Sequence, residues 1–399
     1  MKKFAKMSLV AAVAVAGFTS AASAKPLEEA IKNVDVSGSV VYRYNDYQND
    51  NKTPADAKNT TRAQNNYKIG LTLKAKVNDD VTAVTRFVVA NPDSGFAGLY
   101  TGVNSDQNVD VTLSNVYFSY SGLANTTVNV GKQGLTTPWT VAVDSDGNEQ
   151  TGTGILALTN VGPVTLAAAY FNQTNLDKSG DLKTVLNGLT GAGGNVGTND
   201  IWTAAIMGNI GPVALDGWYL DMADMFDTFT LGAKANFDLD AVKLGFDVRY
   251  TSLDRDNVDT DNELWKIIFT AKMGIFDAKL GYAGTDKEGG IVALDNDAVT
   301  AYQTWNMNPN AKADADMFNA SLGVQALPSL HISANYSDMD YKDGTDDMNE
   351  NELYAQFVYK MSKNFGGYIR YGSYDKKNDT TGVKDIDGTR GRLQVEYTF

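Results

Sequence analysis

The 399-residue chain has no cysteine and one histidine. Without cysteine there is no disulfide framework, thiolate metal site or Cys-based redox centre. The single histidine, His331, leaves imidazole-based acid–base or nucleophilic chemistry one candidate. Basic charge is also scarce. Lys and Arg total 34 against 48 Asp and Glu, a formal charge of −14, which argues against nucleic acid or anionic lipid as a partner. After the first two dozen residues no stretch of 18 or more apolar residues occurs, so no transmembrane helix is encoded. The eight prolines, at 26, 54, 92, 138, 163, 212, 309 and 328, all fall outside the alternating segments described below, as a hydrogen-bonded ladder requires.

At the N-terminus the residues read as an export signal. Lys2, Lys3 and Lys6 precede an apolar run from Ser8 to Gly17, and Ala22-Ser23-Ala24 is a small-residue cleavage site. Residues 1–24 are therefore expected to be a cleaved signal peptide, and losing its three lysines takes the formal charge from −14 to −17. Residues 25–34 are expected to form a short periplasmic segment.

From there period-two alternation runs to the end. Val36, Gly38, Val40, Tyr42 and Tyr44 share one face, opposite Ser37, Ser39, Arg43 and Asn45. Tyr67, Ile69, Leu71, Leu73, Ala75 and Val77 alternate with Asn66, Lys68, Gly70, Thr72, Lys74 and Lys76, and similar runs recur at 229–237, 242–250, 265–273 and 353–361. One face must meet something apolar and the other water. Runs of this length suit tilted strands crossing a hydrocarbon core better than the strands of a soluble sandwich, typically about 5–6 residues. Tyr44, Tyr250, Tyr336, Tyr359, Tyr371 and Tyr397 stand near strand ends, where interfacial aromatics belong.

The connections alternate in kind. Tight turns such as Val161-Gly162-Pro163 and Ile210-Gly211-Pro212 alternate with mostly long, polar segments near 49–63, 92–108, 135–153, 175–199, 253–261, 286–315, 342–350 and 376–387, plus a short one near 224–227. Eight turns and nine loops predict an all-β, transmembrane antiparallel barrel of about eighteen strands over 35–399, with short periplasmic turns and long extracellular loops. The apolar parity slips between Leu113 and Val116, which predicts a bulge. The last strand, Gly391 to Phe399, places Leu393, Val395, Tyr397 and Phe399 on one face. It is expected to close the barrel and to be read by the barrel assembly machinery.

Several segments are similar to a known family. Lys25 to Gly38 with Tyr42-Arg43-Tyr44, then Val130-Gly131-Lys132-Gln133, Trp139, Thr151-Gly152-Thr153-Gly154 and Val164 to Ala168, resemble the Campylobacter-type major outer membrane porins. The resemblance covers the chain after residue 24. It implies an outer-membrane, eighteen-stranded, homotrimeric general-diffusion porin among lipid and lipopolysaccharide, with the third loop folded inward.

Counting along the strands places Arg43, Arg86, Arg370 and Arg392 at lumen parity near mid-membrane, where charge is costly unless it faces water. They are expected to form a basic wall at the constriction, or else to pair with lumen acids such as Glu396 or Glu352. Lys132 joins the wall only if a bulge turns it inward, since it shares parity with Val128 and Val130. Opposite, loop 3 (about 135–153) offers Asp144, Asp146 and Glu149, which would set a transverse field across the pore if the loop folds inward and would be solvated if it does not. Trp139 would pack that loop against the wall or serve as an interfacial aromatic. Asp144-Ser145-Asp146-Gly147-Asn148-Glu149 also resembles the start of a Ca²⁺ loop, making Asp144, Asp146 and Glu149 candidate ligands. His331 sits beside the Leu327-Pro328-Ser329 turn and reads as a periplasmic-rim residue rather than a catalytic base. The expected function is passive diffusion of small hydrophilic solutes and ions with mild cation preference, not catalysis. An adhesin or structural barrel and a barrel hydrolase are the alternatives.

Overall fold

The computed structural model describes residues 34–49, 60–91, 95–99, 111–178, 196–256 and 260–399. The expected signal peptide and the segment before Val34 lie outside the described residues. The strands are β1 (Val34–Asn49), β2 (Thr60–Lys76), β3 (Val81–Val89, resuming at Ala97–Leu99), β4 (Val111–Tyr120), β5 (Thr126–Gly134), β6 (Thr151–Val161), β7 (Val164–Thr174), β8 (Ile201–Ile210) and β9 (Val213–Met222). They continue as β10 (Phe226–Leu239), β11 (Val242–Arg255), β12 (Asp261–Met273), β13 (Phe276–Thr285), β14 (Ala313–Leu327), β15 (Leu330–Asp343), β16 (Asp346–Lys360), β17 (Phe365–Asn378) and β18 (Val383–Thr398). Each pairs antiparallel with its neighbours in sequence. The two pieces of β3 lie along the same edge of β2, so the spanning strands number eighteen. No helix among the described residues is long and apolar enough to cross a membrane, as a barrel requires none.

Closure is made by the last strand against the first, from Ser39↔Thr398 to Asn49↔Gly388. Gly38 and Phe399 exchange backbone hydrogen bonds of 3.0 and 3.1 Å, and Phe399 stacks on Tyr397 with ring centroids 5.8 Å apart. The alternation read from sequence divides the faces. Val36, Val40, Phe118, Val130, Leu231, Phe246, Ile267, Leu353 and Phe357 are exposed on the outside, while Arg43, Asn45, Lys68, Thr72, Asn129, Thr230, Arg249 and Glu352 are buried within. An apolar exterior over a polar interior is stable only in a bilayer. The turns at Gly162-Pro163, Gly211-Pro212 and Gly274-Ile275 each put glycine first, at φ near +60°, the geometry of a two-residue turn that follows the strand twist.

The parity slip in β4 is a bulge. Arg86 pairs with Asn115 and Phe87 with Leu113, so Ser114 is the extra residue and both Ser114 and Asn115 are buried. Two expected loops are mostly strand instead. β15 and β16 are joined by Gly344-Thr345 alone, and β17 and β18 by residues 379–382. Their polar composition imitated loop, but above the bilayer a ladder needs no apolar face, and cross-strand pairs such as Asn349 to Asp340 (2.9 Å) and Lys384 to Asp375 (3.5 Å) fit there.

The segment 286–312 also departs from expectation. Instead of a solvated outer loop it folds into the barrel, carrying Ile291 to Leu294, Ala298, Ala301, Tyr302, Trp305 and Met307 into buried positions. Ile291 and Leu294 join Leu135 and Trp139 of loop 3, together with Phe171, Leu176, Val196, Leu220, Phe226 and Leu253 from the wall and the β7–β8 connection, in one apolar cluster. Tyr302 and Met307 pack on Met317, Met339, Met348 and Tyr374. The apolar residues of this loop are what drive it inward.

Candidate functional site

Loop 3 leaves β5 at Gly134 and returns at Thr151, inside the barrel. Its base is closed by Leu135 N donating to Gln150 O at 2.8 Å, and Trp139 is fully buried, so the tryptophan packs the loop against its surroundings. At the tip Asp144 works within the loop: its carboxylate accepts from Asn148 N and Asn148 Nδ2, both at 2.8 Å, and Gly147 N donates to Asp144 O at 3.1 Å. Gly147 has φ +81°, and a Cβ there would lie 2.8 Å from the Phe96 ring, so conformation and space both require glycine.

Two charged clusters seat this tip on the wall. In the first, Glu149 receives Arg86 Nε at 2.9 Å and Arg86 Nη2 and Lys68 Nζ at 2.7 Å, while Arg86 Nη1 donates to Thr72 at 2.9 Å. Ser114, the bulge residue, also donates to Glu149, and Lys68 donates to Gly147 O. The side chains of Lys68, Arg86 and Glu149 are 6, 13 and 2% exposed. Burial pushes the Glu149 carboxyl up, but the Arg86 hydrogen bonds and the Lys68 charge outweigh it and hold the group at about 2. In the second cluster Arg43 donates to Gln394 and Asp146, both at 2.8 Å, and to Ser145 O, with its guanidinium 4.0 Å over the Phe96 ring. Arg392 stands 3.6 Å from the same Asp146 and donates to Asn45 at 2.7 Å and Tyr47 at 2.9 Å.

The expected separation of basic wall and acidic loop by open pore is thus replaced by direct contact. Three arginines grip the loop instead of facing it. Asp146 remains 58% exposed where Arg43 and Arg392 are 5 and 10% exposed, so the charge this cluster shows to water is the carboxylate. The Ca²⁺ reading does not fit this geometry. Asp144 is turned to Asn148, Asp146 to Arg43, and Glu149 to Lys68 and Arg86, and no metal-holding group of three acidic or imidazole ligands occurs among the described residues.

Arg370 lies apart from the other three arginines in what it touches. It pairs in register with Arg392, donates Nε to Gln356 and stacks 4.6 Å from the Tyr368 ring centroid. Lys132 does not join the wall expected of it. Gly131 takes φ +130° but the strand keeps its parity, so Lys132 shares the outward face of Val116 and Val130, and Nζ reaches the Leu113 carbonyl at 2.8 Å. His331 sits where expected, at the periplasmic start of β15, with Nε2 2.7 Å from Asp277.

Two participants, Lys68 and loop 7, have no role in the sequence reading, and a third, Glu352, holds a loop instead of the arginine expected for it. Lys68 belonged to the polar face of β2 but nothing local marked it as a partner of loop 3. Glu352, fully buried, accepts from Trp305 N at 3.1 Å and from Asn306 N and Nδ2 at 2.9 Å, and so anchors loop 7 (residues 286–312). Loop 7 in turn braces loop 3: Leu294 N to Trp139 O is 2.8 Å, Thr300 N to Pro138 O 2.9 Å, Gln150 to Asp295 2.6 Å and Ser145 N to Asp297 2.8 Å. Beside the two loops lies a polar cavity of 320 Å³, with Asp146, Asp297, Arg370 and Arg392 in its wall.

A sequence model of the Campylobacter major outer membrane protein family matches residues 1–399. No curated protein sequence matches the chain. Among solved structures the chain is similar to Acinetobacter baumannii OccAB3, with a TM-score of 0.72 and 15% identity over 92% of this chain and 99% of that one. It is also similar to Pseudomonas aeruginosa OccK8 (OprE), at 0.71 and 15% over 93% and 99%. A third is Pseudomonas aeruginosa OccK2 (OpdF), solved in complex with glucuronate, at 0.70 and 14% over 92% and 98%. At these identities the likeness is one of fold.

Proposed function

Because this chain belongs to the Campylobacter major outer membrane protein family, we propose that it is a water-filled diffusion channel for small hydrophilic solutes and ions, with mild cation preference. The outer-membrane location follows from the family and the barrel. The channel reading rests on one observation above all: loop 3 is held at mid-barrel by buried Arg43, Lys68 and Arg86 and turns an exposed Asp146 toward the cavity. A filter works through its narrowest ring. Cations buried under a loop are spent on that loop, whereas an exposed carboxylate acts on passing ions. The acidic surplus of −14 adds to the same sign. The glucuronate of the OccK2 complex supports polar organic molecules as cargo for barrels of this fold.

In this reading Arg43, Arg86 and Arg392, with Lys68, Trp139, Asp144, Asp146 and Glu149, build the constriction, Arg370 borders it, and Lys132 is excluded. Homotrimers, lipopolysaccharide contacts, cleavage after residue 24 and recognition of the strand ending at Phe399 by the assembly machinery belong to the same proposal. Planar-bilayer recording of purified protein tests it. Ohmic steps that scale with salt, and a reversal potential in a KCl gradient on the cation side, are expected. A silent bilayer would reject the channel, and a reversal potential on the anion side would reject the selectivity alone.

A further inference from the structure

Lys266 holds loop 7 from the side of the barrel opposite the arginines. It lies on β12, nine strands from β3 in a ring of eighteen, and so stands across the lumen from Arg86. The residue is 8% exposed, and its ammonium donates to Val299 O and Ala301 O of loop 7, both at 2.6 Å. Among the described residues no carboxylate pairs with it. The neighbouring lumen acids are engaged elsewhere, Asp216 by Arg249 at 2.8 Å and Asp247 by Lys234 at 2.6 Å. A buried ammonium with no counter-ion is costly unless its protons reach acceptors. The two carbonyls are those acceptors, and the bonds fix where segment 299–301 can lie.

That segment meets loop 3. Thr300, between the two carbonyls, donates its N–H to Pro138 O at 2.9 Å, and Val141 of loop 3 packs on Ala293, Ala298 and Ala301. The path from there to the filter is short. Ala301 N to Ala298 O at 3.0 Å and Ala298 N to Asp295 O at 3.1 Å close successive turns, and the Asp297 carboxylate within them accepts from Ser145 N at 2.8 Å. Ser145 immediately precedes Asp146. Loops 3 and 7 thus form one arch across the lumen, footed at Lys68 and Arg86 on one side and at Lys266 on the other.

We infer that Lys266 is a positioning residue for the ion filter: by pinning loop 7 from the far wall it fixes where Asp146 is held. The inference rests on the channel reading. It also predicts a sign that a simple charge effect does not. Removing a lumen cation would by itself make the lumen more negative and favour cations further. Releasing the arch does the reverse, because Asp146 is no longer kept at the narrowest ring.

Single-channel recording of Lys266→Met tests this. The variant is expected to flicker, and its reversal potential in a KCl gradient to move toward zero. Amide exchange across 144–149 should rise by about tenfold or more on the loss of two charge-assisted hydrogen bonds, with the heat-modifiable migration of the folded barrel unchanged. A quiet channel whose potential moves further to the cation side would overturn the inference and leave the channel reading intact. So would an unmoved potential with unchanged exchange. The wild-type protein supplies a check that needs no variant: the amides of Thr300 and Ser145, which donate across the junction of the two loops, should exchange together. Exchange at Ser145 while Thr300 stays protected would overturn the arch. Wild-type bilayers that never conduct would reject the channel reading and with it the filter, whatever the two amides do.

Discussion

Substituting Glu149→Gln removes one charge and almost no volume from the place where loop 3 meets the wall. Glu149 is 2% exposed and serves two cations, Lys68 and Arg86, which are themselves buried. Breaking a buried pair from one side costs about 3–5 kcal/mol, because the partner charge is left without compensation. Here two partners are stranded, and either can regain solvent only if the loop tip lifts away. The ion pairs that remain at the tip, Arg43 and Arg392 to Asp146, involve a carboxylate that is 58% exposed, where solvent screening keeps such pairs near about 0–1 kcal/mol. The other ties are single hydrogen bonds, from Arg43 to Ser145 O, Lys68 to Gly147 O and Ser145 N to Asp297. The seated population of residues 144–149 should therefore fall roughly a hundred- to few-thousand-fold relative to the lifted one. The loop base should stay, since Trp139 and Leu135 are held by the apolar cluster. The barrel should stay too, its ladder owing nothing to Glu149. In planar bilayers the variant is expected to show larger or strongly flickering unitary currents, with unchanged heat-modifiable migration of the folded barrel. A quiet channel of wild-type conductance would refute the claim that this cluster seats the loop.

Glu149 lies in the loop and its carboxyl is held at about 2, below the usual 4.5, so its contribution is complete above about pH 4.5 and is lost as pH falls toward 2; channel noise should be flat from neutral pH to pH 5 and rise only below that range. Glu352→Gln should loosen loop 7, since hydrogen bonds to a charged group are worth about 1.5–3 kcal/mol each and three from Trp305 and Asn306 end on this carboxylate; accelerated hydrogen exchange across 303–307 is the readout, and unchanged exchange would contradict the anchor. Asp146→Asn should move the reversal potential in a KCl gradient toward zero, and an unmoved value would mean that this carboxylate does not filter ions. Lys132→Gln should leave conductance and selectivity as they are, because the side chain is on the outer face; a changed selectivity would return Lys132 to the lumen.

The wall was legible and the loops were not, for physical reasons that particular residues make plain. Strand parity is a local property: Val36, Val40 and Tyr42 face outward because each is two residues from the next, and a single extra residue, Ser114, could be located by the slip it causes between Leu113 and Val116. Arg43, Arg86 and Arg392 were placed by counting along such strands, and the structure brings them together at loop 3. Contacts between loop and wall have no period. Lys68 and Glu149 are 81 residues apart and nothing in either neighbourhood names the other. Lys342, Asp347 and Lys384 read as loop because charged strands above a bilayer have no apolar face to betray them. The inward course of loop 7 did have a signal, the apolar run Ile291 to Leu294, but its meaning depends on the barrel interior into which it folds.

The proposed channel filters ions through the exposed Asp146 on a loop seated by buried cations. The reversal potential of the purified wild-type protein across a KCl gradient, recorded in bilayers that show ohmic steps, tests this most directly. A filter at Asp146 gives a potential on the cation side; a potential on the anion side would mean that Arg43, Arg392 and Arg370 act on passing ions, and would contradict that filter.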